Sequence, residues 1–457
     1  MSIDQSRRAF LKRSAALGVA GTATPFVLNL AAIGEAAAAV STDYKALVCV
    51  FMYGGNDYAN TIAAYDQASF DQYLKYRSGI GYTREQLSPM LLNPGTAIAG
   101  GRQYALGPAL APLLPTFDAG KLAVLLNVGT LIAPTTKAQY QARSVPLPPK
   151  LFSHNDQQSF WQASNPEGAT SGWGGRMGDL FQSGNGSATL TCINASGNAV
   201  FLTGRNAVQY AVGPGGPVAL TGNTSLFGSA GASAALKAIM TGGRGHLIEN
   251  EHARVTKRSL DTYAQVTGAL GGAAALTTAF PAGNPLADQL RTVARMISVS
   301  AELGAKRQVF FVSSGGFDNH NNLTTDHPPL LARVAGAMRA FYDATIELGV
   351  ADRVTSFTAS DFGRTLTANA SGSDHGWGSH HLVLGGAVRG RQFYGNAPVL
   401  ADNGPDDVGQ GRLLPGISVD QYAATLASWF GVSSGDMTTV LPNIGNYAPS
   451  ARALGFV

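Results

Sequence analysis

The chain has 457 residues, with 32 lysines and arginines against 28 aspartates and glutamates, and a formal charge of +4. It lacks the basic patch with interleaved aromatic residues that a nucleic-acid-binding surface needs, so we expect no nucleic-acid partner. After the N-terminal segment no apolar run reaches the ~20 residues of a membrane-spanning helix, so we expect no stable membrane span in the mature chain.

The first 39 residues have the three parts of an export signal. Arg7 and Arg8 precede Phe10 and Lys12, a mildly apolar stretch follows, and small residues at 36–39 form a cleavage site. The paired arginines predict export by the twin-arginine translocase to the periplasm or beyond. A basic tail without this role and an uncleaved anchor are the alternatives. We therefore expect a signal peptide at 1–39 and one mature domain at 40–457.

The first half of the mature chain begins with an apolar run at 44–53, bounded by glycines, that predicts a strand buried on both faces. A second buried strand is predicted at 122–128, and Ser153 stands at the N-cap position of a predicted helix. Residues 183–245 are rich in Gly, Ser, Thr and Asn, with β-like runs at 188–193 and 199–203, and we interpret them as a cap or insertion.

The last third alternates helical and strand patterns. Pro328 and Pro329 are assigned to the first turn of one predicted helix. The alternation is typical of an α/β fold with a mostly parallel sheet, in which ligands bind at the carboxyl edge. Helices are predicted at 247–267, 287–303, 327–348 and 420–429, and strands at 308–312, 354–358 and 382–385.

Three aspartates follow predicted strands. Asp57, Asp318 and Asp361 each come after an apolar run and a few linking residues, so parallel strands would bring them to one edge of the sheet. Crowded carboxylates repel each other unless a cation lies between them. The alternative for each is a turn residue or a helix N-cap.

Histidines strengthen the prediction of a metal site. His320 follows Asp318 by two residues, and His375 follows an aspartate directly. His380 and His381 are adjacent, so in an extended strand at most one faces the site. Aspartates with histidines suit one or two ions of zinc, manganese, iron or calcium, and two ions could together promote hydrolysis.

Two further residues are candidate catalytic groups. Ser153, before His154 at a predicted helix N-terminus, is either a nucleophile or an ordinary N-cap. Arg364 is either an anion clamp or a partner in an ion pair. Cys49 and Cys192 lie in apolar runs, which favours buried free thiols over a disulfide.

The sequence resembles the family called domain of unknown function 1501 (DUF1501), which is similar in fold to the alkaline phosphatase and sulfatase superfamily. The resemblance implies a large α/β sheet between helices and a metal-centred hydrolase site. It rests on the twin-arginine start and on the motifs at 51–57, 315–320, 360–365, 374–378 and 384–388.

Residue by residue, the resemblance implies metal ligands at Asp57, at Asp318 with His320, and at Asp361, with His375 or His380 as the final histidine. The superfamily usually has an Asp-His pair where this chain has Asp361 and then phenylalanine. Its corresponding Asp and His are also spaced more widely than Asp318 and His320. One metal site is therefore expected to be altered.

Together these patterns predict an exported, metal-dependent hydrolase of phosphate or sulfate esters, acting on a small-molecule or polymer substrate. The alternative is a non-catalytic envelope protein that reuses the scaffold to bind a partner or a polysaccharide. The altered strand-end motif and the Gly/Ser-rich segment favour the alternative, whereas the remaining aspartates and histidines favour the enzyme.

Overall fold

A computed structural model describes residues 43–222 and 224–457, so the predicted signal at 1–39 lies outside the described residues. The near-continuous apolar run after Asp43 forms the central strand of the main sheet. The strands are β1 Lys45–Met52, β2 Ile62–Ala64, β3 Tyr104–Leu106, β4 Leu122–Gly129, β5 Cys192–Asn194, β6 Gln209–Gly213, β7 Gly216–Pro217, β8 Arg307–Ser314, β9 Val354–Ser360, β10 Arg364–Asn369, β11 Gly372–His375, β12 Ser379–Gly385, β13 Phe393–Tyr394 and β14 Ile417–Ser418.

Within the described residues, ten strands form the main sheet in the order β13-β4-β12-β9-β1-β8-β5-β6-β7, and β14 also pairs with β4. Strand β1 is parallel to both β8 and β9. Strand β12 is antiparallel to its neighbours β4 and β9. The predicted α/β fold with a mostly parallel sheet is therefore confirmed.

Helices cover both faces of the sheet. Alternate residues of β1 enter different cores: Val48 and Val50 pack into one, and Leu47 and Phe51 into the other. This two-sided burial explains the continuous apolar run. The helices are α1 Tyr58–Thr61, α2 Gln67–Tyr76, α3 Arg84–Leu87, α4 Leu114–Asp118, α5 Lys137–Ala142, α6 His154–Ala163, α7 Trp173–Phe181, α8 Ala230–Thr241, α9 Leu247–Gly272, α10 Pro285–Ser298, α11 Leu323–Glu347, α12 Val419–Phe430 and α13 Met437–Val440.

Two local predictions differ from the structure. Helix α11 begins at Leu323, whose buried side chain anchors an additional first turn, so Pro328 and Pro329 lie inside the helix. The β-like run at 199–203 contains a short 3₁₀ turn, Val200–Leu202, in which the consecutive residues Phe201 and Leu202 are both buried. A strand would send these two side chains to opposite faces.

The segment at 183–245 is joined to the main sheet. Its strand β5 pairs with β8, and β6 extends the sheet beyond β5. The rest of the segment includes the short strand β7 and helix α8, which is followed directly by the long helix α9.

The carboxyl ends of β1, β8 and β9 meet at one edge of the sheet, because these strands are parallel. Strand β12 runs the other way, so the residues that precede it reach the same edge. Cys49 and Cys192 are buried and free, as predicted. Among the described residues, no helix combines the length and the apolar character needed to cross a membrane.

Candidate metal centre

Four side chains meet at the carboxyl edge of the sheet. One carboxylate oxygen of Asp318 lies 3.1 Å from Nε2 of His320 and 3.1 Å from Nε2 of His375. Its other oxygen lies 3.5 Å from Nε2 of His154. Potential ligand atoms of His154, Asp318 and His375 all lie within 4.8 Å of one another. We call these three residues, together with His320, the histidine cluster.

Each histidine of the cluster is oriented through its other ring nitrogen. Nδ1 of His154 lies 2.7 Å from a carboxylate oxygen of Asp361, and Nδ1 of His320 lies 3.1 Å from one of Asp374. Nδ1 of His375 lies 2.8 Å from the carbonyl oxygen of Phe152. Carbonyl and ionised carboxylate oxygens only accept hydrogen bonds, so each Nδ1 donates. A neutral ring then presents the lone pair of Nε2 to the cluster.

Two of these nitrogens approach each other closely. Nε2 of His320 and Nε2 of His375 lie 3.0 Å apart. Two lone pairs that face each other repel unless a proton or a metal ion lies between them. Burial lowers the pKa of His375, helped by the positive charges of His154 and Arg364, which disfavours the proton. The donor set therefore fits a divalent metal ion.

The pKa of His154 is shifted in the opposite direction, upwards. Its hydrogen bond to Asp361 raises the pKa of His154, and the charges of Asp361 and Asp318 add to this effect against the opposing effect of burial. The same carboxylates would attract a metal cation. Metal binding at Nε2 would accordingly compete with protonation of His154.

Asp318 is held by Arg364, the predicted anion clamp. The guanidinium group of Arg364 is fully buried and donates to the Asp318 carboxylate and to the carbonyl oxygens of Gly54 and Ser373. Burial acts to raise the pKa of Asp318, but the hydrogen bond and charge of Arg364 outweigh it and lower the pKa. Arg364 thus keeps Asp318 ionised and oriented.

The loop after β1 lies directly against Asp318. Gly54 has a φ of +117°, and a Cβ atom built there would lie 2.4 Å from the backbone nitrogen of Asp318. A glycine is therefore required for the two loops to approach so closely.

Asp361, a predicted ligand, lies behind His154. Its Oδ2 accepts hydrogen bonds from Nδ1 of His154, from the side chain of Gln158 at 2.8 Å and from the backbone N–H of Gly54 at 3.1 Å. Asp361 is fully buried, and its Oδ1 has no hydrogen-bond partner among the described residues. The carboxylate orients the ring of His154.

Asp57, also a predicted ligand, belongs to a buried ion pair. It caps helix α1 by accepting from the backbone N–H of Asn60, and its Oδ2 lies 2.7 Å from Nη2 of Arg77 and accepts from Ser373 at 2.9 Å. Burial alone would raise the pKa of Asp57, but Arg77 and neighbouring groups lower it. Asp57 therefore supports the loops beneath the cluster and lies outside it.

His380, the alternative final histidine, lies in the core. Its Nδ1 accepts a hydrogen bond of 3.0 Å from the backbone N–H of Asn127, and its ring packs edge-on against Tyr58 and Tyr104. Burial lowers the pKa of His380 to about 3. His381 is buried on the other face of β12, against Trp161.

Ser153 precedes helix α6, as predicted, but makes no side-chain cap. Its hydroxyl donates to a carboxylate oxygen of Asp156 at 3.0 Å. The next residue, His154, is the cluster member that sequence reasoning missed as a ligand. It lies 207 residues from Asp361 in the chain, and the only sequence signal was its place at the helix N-terminus.

A polar cleft lies along helix α6, the helix that begins with His154. Its volume is about 290 Å³, and Tyr53, Asn155, Gln162 and Asn198 are among its lining residues. Gln158 also lines it, and the same side chain donates to Asp361. A substrate group in the cleft would therefore lie beside the residues that hold His154.

Comparison with known proteins identifies the family. The family model described as "Protein of unknown function (DUF1501)" matches residues 44–439. No curated protein matches the chain.

Solved structures similar to this chain include "Ps i-CgsB in complex with k-i-k-neocarrahexaose", at 10% identity over 89% of this chain and 77% of that one, with a TM-score of 0.36. They also include the lipoteichoic acid synthase LtaP from Listeria monocytogenes, at 7% identity over 87% and 74%, with a TM-score of 0.33. A third is the PsFucS1 sulfatase from Pseudoalteromonas sp., at 9% identity over 88% and 72%, with a TM-score of 0.33.

Proposed function

We propose that this chain, which belongs to the DUF1501 family of proteins of unknown function, is a metal-dependent hydrolase of phosphate or sulfate esters. One observation carries the proposal. The Nε2 atoms of His154, His320 and His375 converge on Asp318, while each Nδ1 is held by an oxygen acceptor. Metal-binding histidines usually donate a hydrogen bond of this kind from the ring nitrogen that does not bind the metal.

The donor set favours particular metals. Three imidazole nitrogens and one carboxylate oxygen suit zinc best and also suit manganese or iron, whereas calcium prefers oxygen ligands. A metal of this kind supplies Lewis acidity towards an ester oxygen and lowers the pKa of bound water. Asp318 is 43% exposed and His320 is 42% exposed, so a substrate can reach the centre from solvent.

The chain's own residues would bind and orient the ester. Helix α6 begins at His154, and its first turn has no side-chain cap from Ser153. Free backbone N–H groups at a helix N-terminus favour an anionic group such as a phosphate or sulfate ester. The cleft along α6, with Asn155 and Gln158 among its lining residues, would receive the alcohol part of the ester.

Ser153 is the proposed nucleophile. Its hydroxyl donates to Asp156, a buried carboxylate that could accept the hydroxyl proton during attack. Arg364 is proposed to act through Asp318, because its buried guanidinium group is occupied by that carboxylate and by two backbone carbonyls. It is thus a positioning residue.

The site of action is proposed from the N-terminal segment. The adjacent Arg7 and Arg8, followed by an apolar stretch and small residues, favour export by the twin-arginine translocase. This route would place the mature protein, residues 40–457, in the periplasm or outside the cell. Replacing Arg7 and Arg8 by lysines should leave the protein in the cytoplasm, whereas unchanged export would contradict this assignment.

Metal analysis of the mature protein tests the centre. We expect about one equivalent of zinc, manganese or iron in the wild type and a loss of that metal in His375→Ala. His246→Ala, at an exposed histidine far along the chain from the cluster, is the control and should retain the metal. Equal metal content in all three proteins would contradict the assignment.

Turnover then separates the enzyme from the binding protein. The metal-loaded wild type is assayed on a panel of aryl phosphate and aryl sulfate esters, with His375→Ala as the reference. Hydrolysis that disappears with the metal supports the proposal. Bound metal without hydrolysis of either ester class would favour the non-catalytic envelope protein.

A further inference from the structure

Arg412 is a half-buried arginine that contacts one residue of the histidine cluster. Its Nε donates a hydrogen bond of 2.9 Å to the backbone carbonyl oxygen of His375. Its Cζ lies 4.7 Å from the centre of the Phe152 ring, so the guanidinium group lies over that ring. Phe152 immediately precedes Ser153, and its carbonyl oxygen accepts from Nδ1 of His375. The guanidinium group therefore contacts both a cluster residue and the neighbour of the proposed nucleophile.

The loop that carries Arg412 is fixed by hydrogen bonds. Oδ1 of the buried Asp407 accepts from the backbone N–H groups two and four residues further on, at 2.7 and 2.9 Å. Before Arg412, the carbonyl oxygen of Gly411 accepts from the backbone N–H of Leu366. After it, the carbonyl oxygen of Leu413 accepts from a backbone N–H of the segment that precedes β12. The backbone on both sides of Arg412 is thus bonded to neighbouring segments.

The terminal nitrogens of Arg412 have no partner among residues 43–222 and 224–457. No carboxylate of these residues forms an ion pair with Arg412, and the bond from Nε is the only hydrogen bond that its side chain donates to them. Arg364 differs, because its guanidinium group is fully buried and occupied by Asp318 and by two backbone carbonyls. Arg412 therefore offers a positive charge and two N–H₂ groups that Arg364 does not.

A guanidinium group held in this way suits a tetrahedral oxyanion. Its planar fork presents parallel N–H donors that match two oxygens of a phosphate or sulfate group. Because Nε is bonded to His375 and the group lies over the ring of Phe152, the fork is oriented before a ligand binds. Less side-chain entropy is then lost on binding.

We propose that Arg412 binds the phosphate or sulfate group of the ester through Nη1 and Nη2, an assignment that rests on the hydrolase function proposed above. The same contact would bind the inorganic anion that hydrolysis releases. Helix α6 begins two residues after Phe152, so its free backbone N–H groups would bind another oxygen of the same anionic group. Arg412 would then be the anion clamp that the sequence analysis assigned to Arg364.

Anion titration of the metal-loaded mature protein tests the proposal. Inorganic phosphate and inorganic sulfate are titrated separately by calorimetry, which distinguishes the two anions. We expect the wild type to bind at least one of them and Arg412→Gln to bind it at least ~10-fold more weakly, because the charged fork is gone. Glutamine has an amide nitrogen at the same number of bonds from the backbone as Nε, so it can still donate to the carbonyl oxygen of His375.

Two further variants separate anion binding from structure. Arg412→Lys keeps the charge without the fork and should recover only part of the affinity. Arg391→Gln is the matched control, because Nε of Arg391 also donates to a backbone carbonyl oxygen, that of Asn93, at 2.9 Å. Its own backbone is bonded to Leu122 at the start of β4, at the opposite edge of the sheet. Arg391→Gln should bind the anion like the wild type, and all four proteins should contain equal metal.

The results distinguish the role of Arg412 from the hydrolase function. Equal anion binding by the wild type and Arg412→Gln would overturn the role of Arg412, whereas ester turnover would still support the hydrolase. Anion binding that depends on Arg412, without turnover of either ester class, would support the anion site and contradict the hydrolase. Binding of neither anion by the wild type would overturn the proposal. Loss of metal from Arg412→Gln would also overturn it, since Arg412 would then only support His375.

Discussion

Nδ1 of His154 lies 2.7 Å from Oδ2 of Asp361, and this contact joins the N-terminus of helix α6 to the end of strand β9. The fully buried carboxylate fixes the ring so that Nε2 faces Asp318. The orientation of one cluster histidine therefore depends on a residue that is itself outside the cluster.

Asp361→Asn should weaken metal binding by about 10- to 100-fold, because the neutral amide no longer fixes the tautomer of His154. Competition with a metal chelator measures the change. Asp326→Asn, at an exposed aspartate in the first turn of α11, should leave the affinity unaltered. An affinity of Asp361→Asn equal to that of the wild type would show that His154 does not need this partner.

Gly54→Ala should displace the Asp318 loop and reduce metal content, since the new Cβ would overlap the Asp318 backbone. Gly79→Ala is a matched control, because Gly79 also has a positive φ, +82°, but open space around its Cβ position. Both variants should lose about 1 kcal/mol of stability through backbone strain. Only Gly54→Ala should lose metal. Full metal occupancy in that variant would show that the Asp318 loop does not need a glycine at position 54.

Asp57→Asn should destabilise the fold while sparing the metal. It leaves the fully buried Arg77 without its carboxylate partner, and breaking a buried ion pair costs about 3 kcal/mol or more. Urea unfolding gives the stability, and metal analysis of the folded fraction gives the occupancy. Asp71→Asn, at an exposed site on α2, is the control. Loss of metal from folded Asp57→Asn would restore Asp57 to the list of ligands.

Buried neutral histidines should make the fold sensitive to acid. Burial lowers the pKa of His380 and of His381 to about 3 and that of His327 to about 4. Unfolded histidines titrate near 6.5, so below that pH the unfolded state binds more protons and stability falls towards the folded pKa values. Each group contributes up to about 1.4 kcal/mol per pH unit.

Urea unfolding at pH values of about 7.5 and about 5 measures this slope. His380→Gln can keep an acceptor for the Asn127 N–H and should reduce the slope by about one proton. An unchanged dependence of stability on pH would mean that His380 is not neutral and buried in the folded protein.

Ser153→Ala should reduce ester hydrolysis by about 10³-fold or more if Ser153 is the nucleophile, while metal content stays at the wild-type level. Ser144→Ala, at an exposed serine outside the cleft, is the control for a serine-to-alanine change. Turnover of Ser153→Ala at the wild-type rate would instead identify water as the attacking group.

The carboxyl edge of the sheet could be predicted because it follows from strand direction. Apolar runs with glycines after them predicted β1, β8 and β9, and the parallel order brings their ends together. Asp318 and His320 were assigned to a metal site from that pattern, and the structure brings them within 3.1 Å of each other. His375 reaches the same edge because β12 is antiparallel.

The remaining site residues depend on contacts between distant segments. Arg77 lies 20 residues after Asp57 and forms an ion pair with its carboxylate. No local sequence pattern predicts this partner. His380 falls on the buried face of β12 next to Asn127, which is 253 residues away. His154 joins the cluster only because α6 packs over the sheet edge, so its role could not be read from its neighbours in the chain.

The cluster takes its side chains from three separate segments: the start of α6, the loop after β8 and the end of β11. An ion bound among them would act as a cross-link between parts of the chain that are distant in sequence. Its removal should free the start of α6 to swing outwards while the sheet stays folded. Chelation would then expose the peptide bonds near Phe152 to proteases well before global unfolding, so that metal supply would set the lifetime of the protein.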